Sequence, residues 1–236
     1  MNQPVIDRTY YSDWYYEGEK VRQSLKNRFT RTKVRRVRGL LSPQKGELLI
    51  DMGCGAGTMM SLLGDSGATF IGFDYSTNAL KHAKVNYTRF NPTLQFRGVC
   101  GDGQFLPYKT GTISGIMAVD FTEHLDDDFV RKNLVEICRI LKPGGRFVLY
   151  TPNPSHLFEL LKKYSIILKN DPSHIGLRPM KSYSGMMKSA GLNIDKAFYE
   201  PTHLPLVNIV ESVIMMIPGI ARLARRRICI RAVKPV

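Results

Sequence analysis

The strongest indication of the fold is an apolar run followed at once by three closely spaced glycines. Residues 47–52 read ELLIDM, and the chain continues through Gly53, Gly55 and Gly57 in the pattern D-x-G-x-G-x-G. Glycines at this spacing allow a sharp turn and let the backbone approach a ligand. The following residues predict a helix whose N-terminus points at the same place. The pattern therefore predicts a strand, a ligand-binding turn and a helix.

The same kind of alternation continues from residue 46 to residue 200. Short apolar runs alternate with longer amphipathic stretches, which is the pattern of βαβ units in a parallel sheet. No repeat or linker divides the chain, so we expect one doubly wound α/β domain over residues 46–236, preceded by a basic helical segment over residues 1–45. The predicted strands are 47–52, 68–73, 94–100, 113–119, 146–151, 192–199 and 228–233, and the predicted helices are 58–63, 76–87, 127–141, 156–169, 181–190 and 206–217.

Two acidic residues follow the second and third predicted strands. Asp74 lies 17 residues after Gly57, close to the spacing at which a carboxylate reaches the hydroxyls of a bound ribose. Asp102 ends the third strand, where it can accept a hydrogen bond from an adenine amino group. The dinucleotide fingerprint G-x-G-x-x-G is incomplete, because Thr58 and Met60 stand where its last glycine is needed, and this disfavours NAD. Either aspartate alone is commonly a helix cap or a turn residue, but three such strand ends at one sheet edge favour a nucleoside-containing cofactor.

Taken together, these motifs resemble those of class I S-adenosylmethionine-dependent methyltransferases, in particular the ubiquinone-biosynthesis O-methyltransferases of the type 11 subgroup. The resemblance covers residues 46–200 and includes GFDYS at 72–76, GDGQFLPY at 101–108, EHL at 123–125 and LKPGGR at 141–146. It implies a Rossmann-like, seven-stranded sheet with an antiparallel last strand. It also implies methyl transfer by in-line displacement, with alignment and exclusion of water as the main contribution of the enzyme. The cofactor-binding residues predicted in this way are Asp51, Gly53, Cys54, Gly55, Gly57, Asp74, Tyr75, Asp102, Gly103 and Asp120.

A candidate for activating the acceptor follows the fourth strand as Asp120-x-x-Glu123-His124. In a helical turn these side chains share one side, and two carboxylates with an imidazole form a site for Mg²⁺ or Mn²⁺. The motif is similar to the E-x-x-E-H with which ubiquinone-biosynthesis and small-RNA 2′-O-methyltransferases hold a divalent ion. The predicted catalytic residues are Glu123, His124 and His174, since a neutral imidazole can accept a proton from a hydroxyl. In the alternative interpretation, Glu123 and His124 fix the loop and His174 packs beneath a lid.

Positive charge is concentrated near the two ends of the chain. Of the 34 basic residues, nine lie in residues 20–39 and six in residues 222–234, and neither segment contains an acid. The remaining 19 basic and 20 acidic residues nearly cancel, although the net charge is +14. The second block follows the longest apolar stretch, residues 204–220, an order that favours contact with an anionic membrane or a lid over an apolar acceptor. A nucleic-acid contact and a core helix at 206–217 are the alternatives.

The cysteine content and the hydropathy of the sequence indicate the cellular compartment in which we expect the protein. Four cysteines without a CxxC pair indicate reduced thiols, and we see neither a signal peptide nor an apolar run of the roughly 20 residues that a membrane span needs. We expect a cytoplasmic enzyme, peripheral at the inner membrane surface if the basic ends bind lipid. The expected reaction is transfer of a methyl group from S-adenosylmethionine to a small, lipid-like or quinone-precursor acceptor, at oxygen. An RNA acceptor, and a non-catalytic cofactor-binding or membrane-binding module, are the competing hypotheses.

Overall fold

A computed structural model describes residues 27–163, 173–204 and 206–236. The strands are β1 (Leu48–Met52), β2 (Thr69–Asp74), β3 (Gly98–Cys100), β4 (Ile113–Val119), β5 (Leu141–Pro152), β6 (Asn193–Glu200) and β7 (Arg227–Val233). The helices are α1 (Arg28–Leu41), α2 (Thr58–Leu63), α3 (Thr77–Phe90), α4 (Asp127–Ile140), α5 (Leu157–Lys163), α6 (Met180–Ser189) and α7 (Val207–Ile214). The helix predicted over residues 156–169 begins in the structure one residue later, at Leu157, and the last six residues of the prediction lie outside the described part of the chain.

All seven strands form one sheet in the order β3-β2-β1-β4-β5-β7-β6. The strands from β1 to β5 pair in parallel, whereas β7 runs antiparallel to both β5 and β6. This confirms the predicted doubly wound sheet with an antiparallel last strand. The strand order reverses between β1 and β4, and open α/β sheets bind ligands in the crevice at such a reversal, beyond the carboxyl ends of the strands.

Helix α1 is part of the core that covers one face of the sheet. Its Val34, Val37 and Leu41 side chains are buried together with residues of α2, α3 and the central strands. Arg146 of β5 ties this helix to the sheet, because its guanidinium donates to the carbonyl oxygens of Leu41 and Ser42 and to both carboxylate oxygens of Glu47. The predicted basic segment therefore contributes a packed helix, and residues 1–26 of that segment lie outside the described residues.

Two predicted elements differ from the structure in instructive ways. The Lys142-Pro143-Gly144-Gly145 sequence, which separates the predicted helix 127–141 from the predicted strand 146–151, lies inside β5, where the pairing with β4 shifts register between Ile113 and Gly115. Helix α7 is the second case: a core helix is wrong here, because Ile209 and Val210 are 62% and 57% exposed and Glu211 is its buried residue. None of the described helices is both long and apolar enough to cross a bilayer.

Candidate functional site

The glycine turn, residues 53–57, is strained for any residue other than glycine. Gly53, Gly55 and Gly57 have φ values of +65°, +51° and +73°, in the left-handed region. A Cβ atom at Gly53 would lie 2.1 Å from Cδ2 of Phe121, and one at Gly57 would lie 2.9 Å from the Cβ of Ala83. The turn therefore needs glycine both for its backbone conformation and for its close packing against Phe121 and Ala83.

Two aspartates hold this turn in place. The Asp51 carboxylate accepts a hydrogen bond from the Met60 amide (3.2 Å) at the start of α2, and the Asp74 carboxylate accepts from the amides of Gly55 and Ser76 (2.9 Å each). Burial and the neighbouring Asp74 charge raise the pKa of Asp51 to about 7, and burial also raises the pKa of Asp74. Both carboxylates thus pair with backbone at the carboxyl ends of β1 and β2.

The other predicted cofactor residues surround the same edge. Asp102 accepts from the Gln104 amide (2.8 Å), and the Tyr75 side chain is 48% exposed. Gly103 packs against Asn133, whose amide donates to the Gly103 carbonyl (2.7 Å). The Cys54 thiol is buried, and burial raises its pKa, so it is a packing group and not a nucleophile. A glycine cradle flanked by carboxylates at two further strand ends fits the nucleoside and amino-acid parts of S-adenosylmethionine.

Glu123, His124 and His174 come together beyond the end of β4. One potential ligand atom from each of these three residues, here called the EHH cluster, lies within 4.8 Å of the others. The His124 and His174 rings are 5.1 Å apart and nearly perpendicular. His124 Nδ1 lies 3.1 Å from the Ser173 carbonyl, which can only accept, so Nδ1 carries the hydrogen and Nε2 is the basic nitrogen. The sequence prediction of three catalytic residues is matched by their proximity, and their catalytic role stays a prediction.

Arg178, which the sequence analysis did not single out, fixes the segment that carries His174. Its guanidinium is buried and donates to the carbonyls of Thr122 (3.0 Å), Gly176 (2.6 Å) and Leu125 (2.6 Å). The Gly176 amide also donates to the Glu123 carbonyl (2.9 Å). These bonds join two loops that are more than 50 residues apart along the chain, and no local sequence pattern could have indicated them.

Glu123 is a buried carboxyl group in an unusual electrostatic setting. It accepts a hydrogen bond from the Thr151 hydroxyl (3.0 Å). Burial, followed by the nearby Asp120 carboxylate, raises the pKa of Glu123 to about 8. At neutral pH this group is therefore largely protonated, and it becomes a carboxylate when a nearby base takes its proton or a bound cation replaces it.

Asp120 is not a member of the EHH cluster, so the predicted trio of Asp120, Glu123 and His124 is wrong as a ligand set. The Asp120 carboxylate is held by Lys33 of α1 (2.8 Å) and Arg227 of β7 (2.5 Å). Its backbone has a φ of +52°, which departs from the helical turn assumed for the motif. The third ligand candidate is instead His174, from a loop that sequence spacing cannot place.

Comparison with known proteins shows which family this chain belongs to. The profile of a family described as "Methyltransferase domain" matches residues 25–197. The 24-methylenesterol C-methyltransferase 2 of Oryza sativa subsp. japonica is 28% identical over 141 residues, which are 54% of this chain and 38% of that protein. The mitochondrial ubiquinone biosynthesis O-methyltransferase of Homo sapiens is 31% identical over 118 residues, 49% of this chain and 31% of that protein.

A solved structure supports the fold over nearly the whole chain. The SAM-dependent methyltransferase from Archaeoglobus fulgidus superimposes with a TM-score of 0.70 at 20% identity, covering 94% of this chain and 100% of that one. The chain spans about a third to a half of the length of the curated relatives it matches. Because the family profile covers well over half of its residues, this chain belongs to the class I S-adenosylmethionine-dependent methyltransferases.

Proposed function

We propose that this chain transfers a methyl group from S-adenosylmethionine to an oxygen atom of a small, lipid-like or quinone-precursor acceptor. The observation that carries the proposal is the position of the EHH cluster beside the glycine turn. Phe121, two residues before Glu123, lies directly against Gly53, so the two groups belong to one crevice. Of the two relatives named above, one is a C-methyltransferase of 24-methylenesterol and the other is an O-methyltransferase of ubiquinone biosynthesis.

Each group in this crevice has a distinct task in the proposed reaction. S-adenosylmethionine supplies an electrophilic methyl group when it is bound. The glycine turn and Asp74 hold and orient it, and Phe121 closes one side against water. His124, through Nε2, accepts the proton of the acceptor hydroxyl as the oxygen attacks, and a hydroxyl activated in this way favours oxygen over carbon as the acceptor atom.

Cofactor binding is tested with Asp74→Ala. Loss of a charge-assisted hydrogen bond costs roughly 1.5–3 kcal/mol, so we expect about ten- to a hundredfold weaker binding of S-adenosylmethionine by calorimetry. Asp65→Ala is the matched control, because that side chain is 73% exposed and pairs with Arg38 away from the crevice. Unchanged affinity in Asp74→Ala, or tighter binding of NAD than of S-adenosylmethionine by the wild type, contradicts the proposal.

As an alternative to proton transfer to His124, we propose that the EHH cluster holds a divalent cation, with Nε2 of His124 as one of its ligands. One carboxylate and two imidazoles suit Mn²⁺ better than Mg²⁺, which prefers an all-oxygen shell, and a bound cation would lower the pKa of an acceptor hydroxyl. We expect calorimetry to detect one Mn²⁺ site per chain that disappears in His174→Ala and persists in His82→Ala. Turnover that is unchanged after exhaustive chelation leaves His124 as the base and removes the metal from the proposal.

The exposed face of α7 supports a contact with an anionic membrane. Four apolar residues in and beside this helix are between 56% and 82% exposed: Leu206, Ile209, Val213 and Met216. The exposed Arg222 lies six residues after Met216. Apolar side chains beside arginines suit the boundary between lipid tails and phosphates. Less positive charge is available to a membrane than the composition of the two basic segments indicated, because five of their basic residues form ion pairs within the protein: Lys33, Arg36, Arg38, Arg227 and Arg231.

A contact of this kind would place the enzyme in the cytoplasm, bound peripherally at the inner surface of the membrane. Vesicle sedimentation tests it. We expect binding to vesicles of anionic lipid and little binding to neutral ones, since each arginine near an anionic surface contributes about 1 kcal/mol. Ile209→Asp should abolish binding, whereas Val85→Asp, at an equally exposed site on α3, should not. A mobility shift with RNA, without binding to anionic vesicles, would favour an RNA acceptor instead.

A further inference from the structure

One side chain fixes the backbone on both sides of the Glu-His pair in the EHH cluster. Arg178 is 5% exposed, and its guanidinium donates to the Thr122 carbonyl, just before this pair, and to the Leu125 carbonyl, just after it. A third bond goes to the Gly176 carbonyl on the loop of Arg178 itself. Because a guanidinium is planar and rigid, these three carbonyl oxygens keep one relative arrangement, which we call the Arg178 clamp.

Gly176 brings the two loops into direct backbone contact. A Cβ atom at this position would lie 2.0 Å from the Leu125 carbonyl oxygen and 2.8 Å from Nη1 of Arg178, which are distances that real Cβ atoms do not show. The Gly176 amide also donates to the Glu123 carbonyl at 2.9 Å. Any side chain at residue 176 would therefore push the loop that carries His174 away from the other loop.

The clamped loop also supplies the acceptor for the His124 ring. Nδ1 of His124 lies 3.1 Å from the Ser173 carbonyl oxygen, which accepts a second hydrogen bond from the Ile175 amide (3.0 Å). Ser173 is buried and precedes Gly176 by three residues, so the clamp determines where its carbonyl lies. An imidazole keeps one tautomer when one of its nitrogens has a fixed partner. The clamp therefore acts on His124 from a distance, through the loop backbone.

We propose that Arg178 and Gly176 are positioning residues for methyl transfer. They hold the Ser173 carbonyl in place, and this keeps the hydrogen of the neutral His124 ring on Nδ1. Nε2 is then the nitrogen that takes the proton of the acceptor or binds a cation. The role in methyl transfer rests on the proposed function, whereas the tautomer is a property of the folded chain and requires no turnover.

Two substitutions separate this role from a general contribution to stability. Gly176→Ala removes no hydrogen-bonding group and only forces the loops apart. Arg178→Lys keeps the positive charge and loses the planar fork of donors. Gly185→Ala on α6 is the matched control for the first, because a Cβ atom there would meet no atom of the described chain within 4 Å. Arg131→Lys, at an exposed arginine of α4, is the control for the second.

The tautomer of His124 is measured by NMR of its ring nitrogens at about pH 8.5, where imidazole groups are neutral. The samples are treated with a chelator, so that no cation occupies Nε2. His124→Gln assigns the resonances, and His82 of α3 is the internal reference. We expect the Nδ1–H tautomer in the wild type and in both controls, and a mixture of the two tautomers in Gly176→Ala and Arg178→Lys. The signals of His82 should be the same in every sample.

A wild type with the ring hydrogen on Nε2 would overturn the proposal, and so would folded clamp variants that keep the wild-type tautomer. Thermal unfolding identifies a variant that does not fold. The wild-type spectrum alone can still refute the proposal in that case.

Turnover with a catechol as the probe acceptor connects the tautomer to the reaction. We expect kcat to fall by about tenfold or more in Gly176→Ala and Arg178→Lys, because the general base is no longer held correctly. Calorimetry should show unchanged affinity for S-adenosylmethionine, and a kcat that falls only together with this affinity would reject the positioning role. A wild type that has the Nδ1–H tautomer but does not methylate the probe contradicts the proposed function and still supports the positioning of His124.

Discussion

Replacing Glu123 by glutamine should change how the stability of the protein depends on pH. The carboxyl group is 1% exposed, and its pKa rises from 4.5 to about 8 on folding. Between these values the native state keeps a proton that the unfolded chain has released, so the free energy of unfolding falls as pH rises. One such proton corresponds to about 1.4 kcal/mol per pH unit, or ~4 kcal/mol between pH 5 and pH 8 at the upper limit. Glutamine keeps the shape and cannot titrate.

The measurement is urea denaturation of wild type and Glu123→Gln at several pH values from 5 to 8.5. We expect the variant to gain stability relative to the wild type as pH rises, because it lacks the buried ionisation. The buried Asp51 and Asp74 act in the same direction but are present in both proteins, so the difference isolates Glu123. Glu136→Gln is the control, because Arg139 lowers the pKa of Glu136 and the carboxylate is charged in both states above pH 5. Parallel curves for wild type and Glu123→Gln would refute the reasoning.

Two further stability predictions use differential denaturation. Gly53→Ala should lower the free energy of unfolding more than Gly111→Ala does. Both positions have positive φ, which costs an alanine about 1–2 kcal/mol, but only at Gly53 would the new Cβ meet another side chain, that of Phe121. Equal losses in the two variants would show that Phe121 moves aside freely. Arg146→Met should lower the free energy of unfolding by about 3–5 kcal/mol, because it leaves Glu47 without its partner and frees α1 from the sheet. The control Arg131→Met, at an exposed position, should change that free energy by no more than about 0.5 kcal/mol. A loss below about 1 kcal/mol in Arg146→Met would contradict the anchoring role.

The parts of the site that the sequence could predict are those encoded locally. The strand β4 and the helix α2 have the predicted bounds, and the glycine turn needs only its own residues to define it. Asp120 shows the limit of this reasoning, because its partners Lys33 and Arg227 lie 87 and 107 residues away along the chain. In the sequence these two partners are recognisable only as members of the two basic segments. Likewise, the position of His174 depends on the bonds of Arg178, which form only once the two loops are packed together.

The position of β7 between β5 and β6 has a consequence for the order in which this chain assembles during synthesis. Strand β6 pairs only with β7 within the described sheet, although its residues precede their partners in β7 by 27 to 40 positions. The first five strands can pair as they leave the ribosome, but residues 193–200 must wait without a neighbour until residues 227–233 emerge. The same late strand delivers Arg227 to Asp120. A nascent chain halted shortly before residue 227 therefore exposes an unpaired strand and lacks one wall of the candidate site, which is completed only when β7 has been translated.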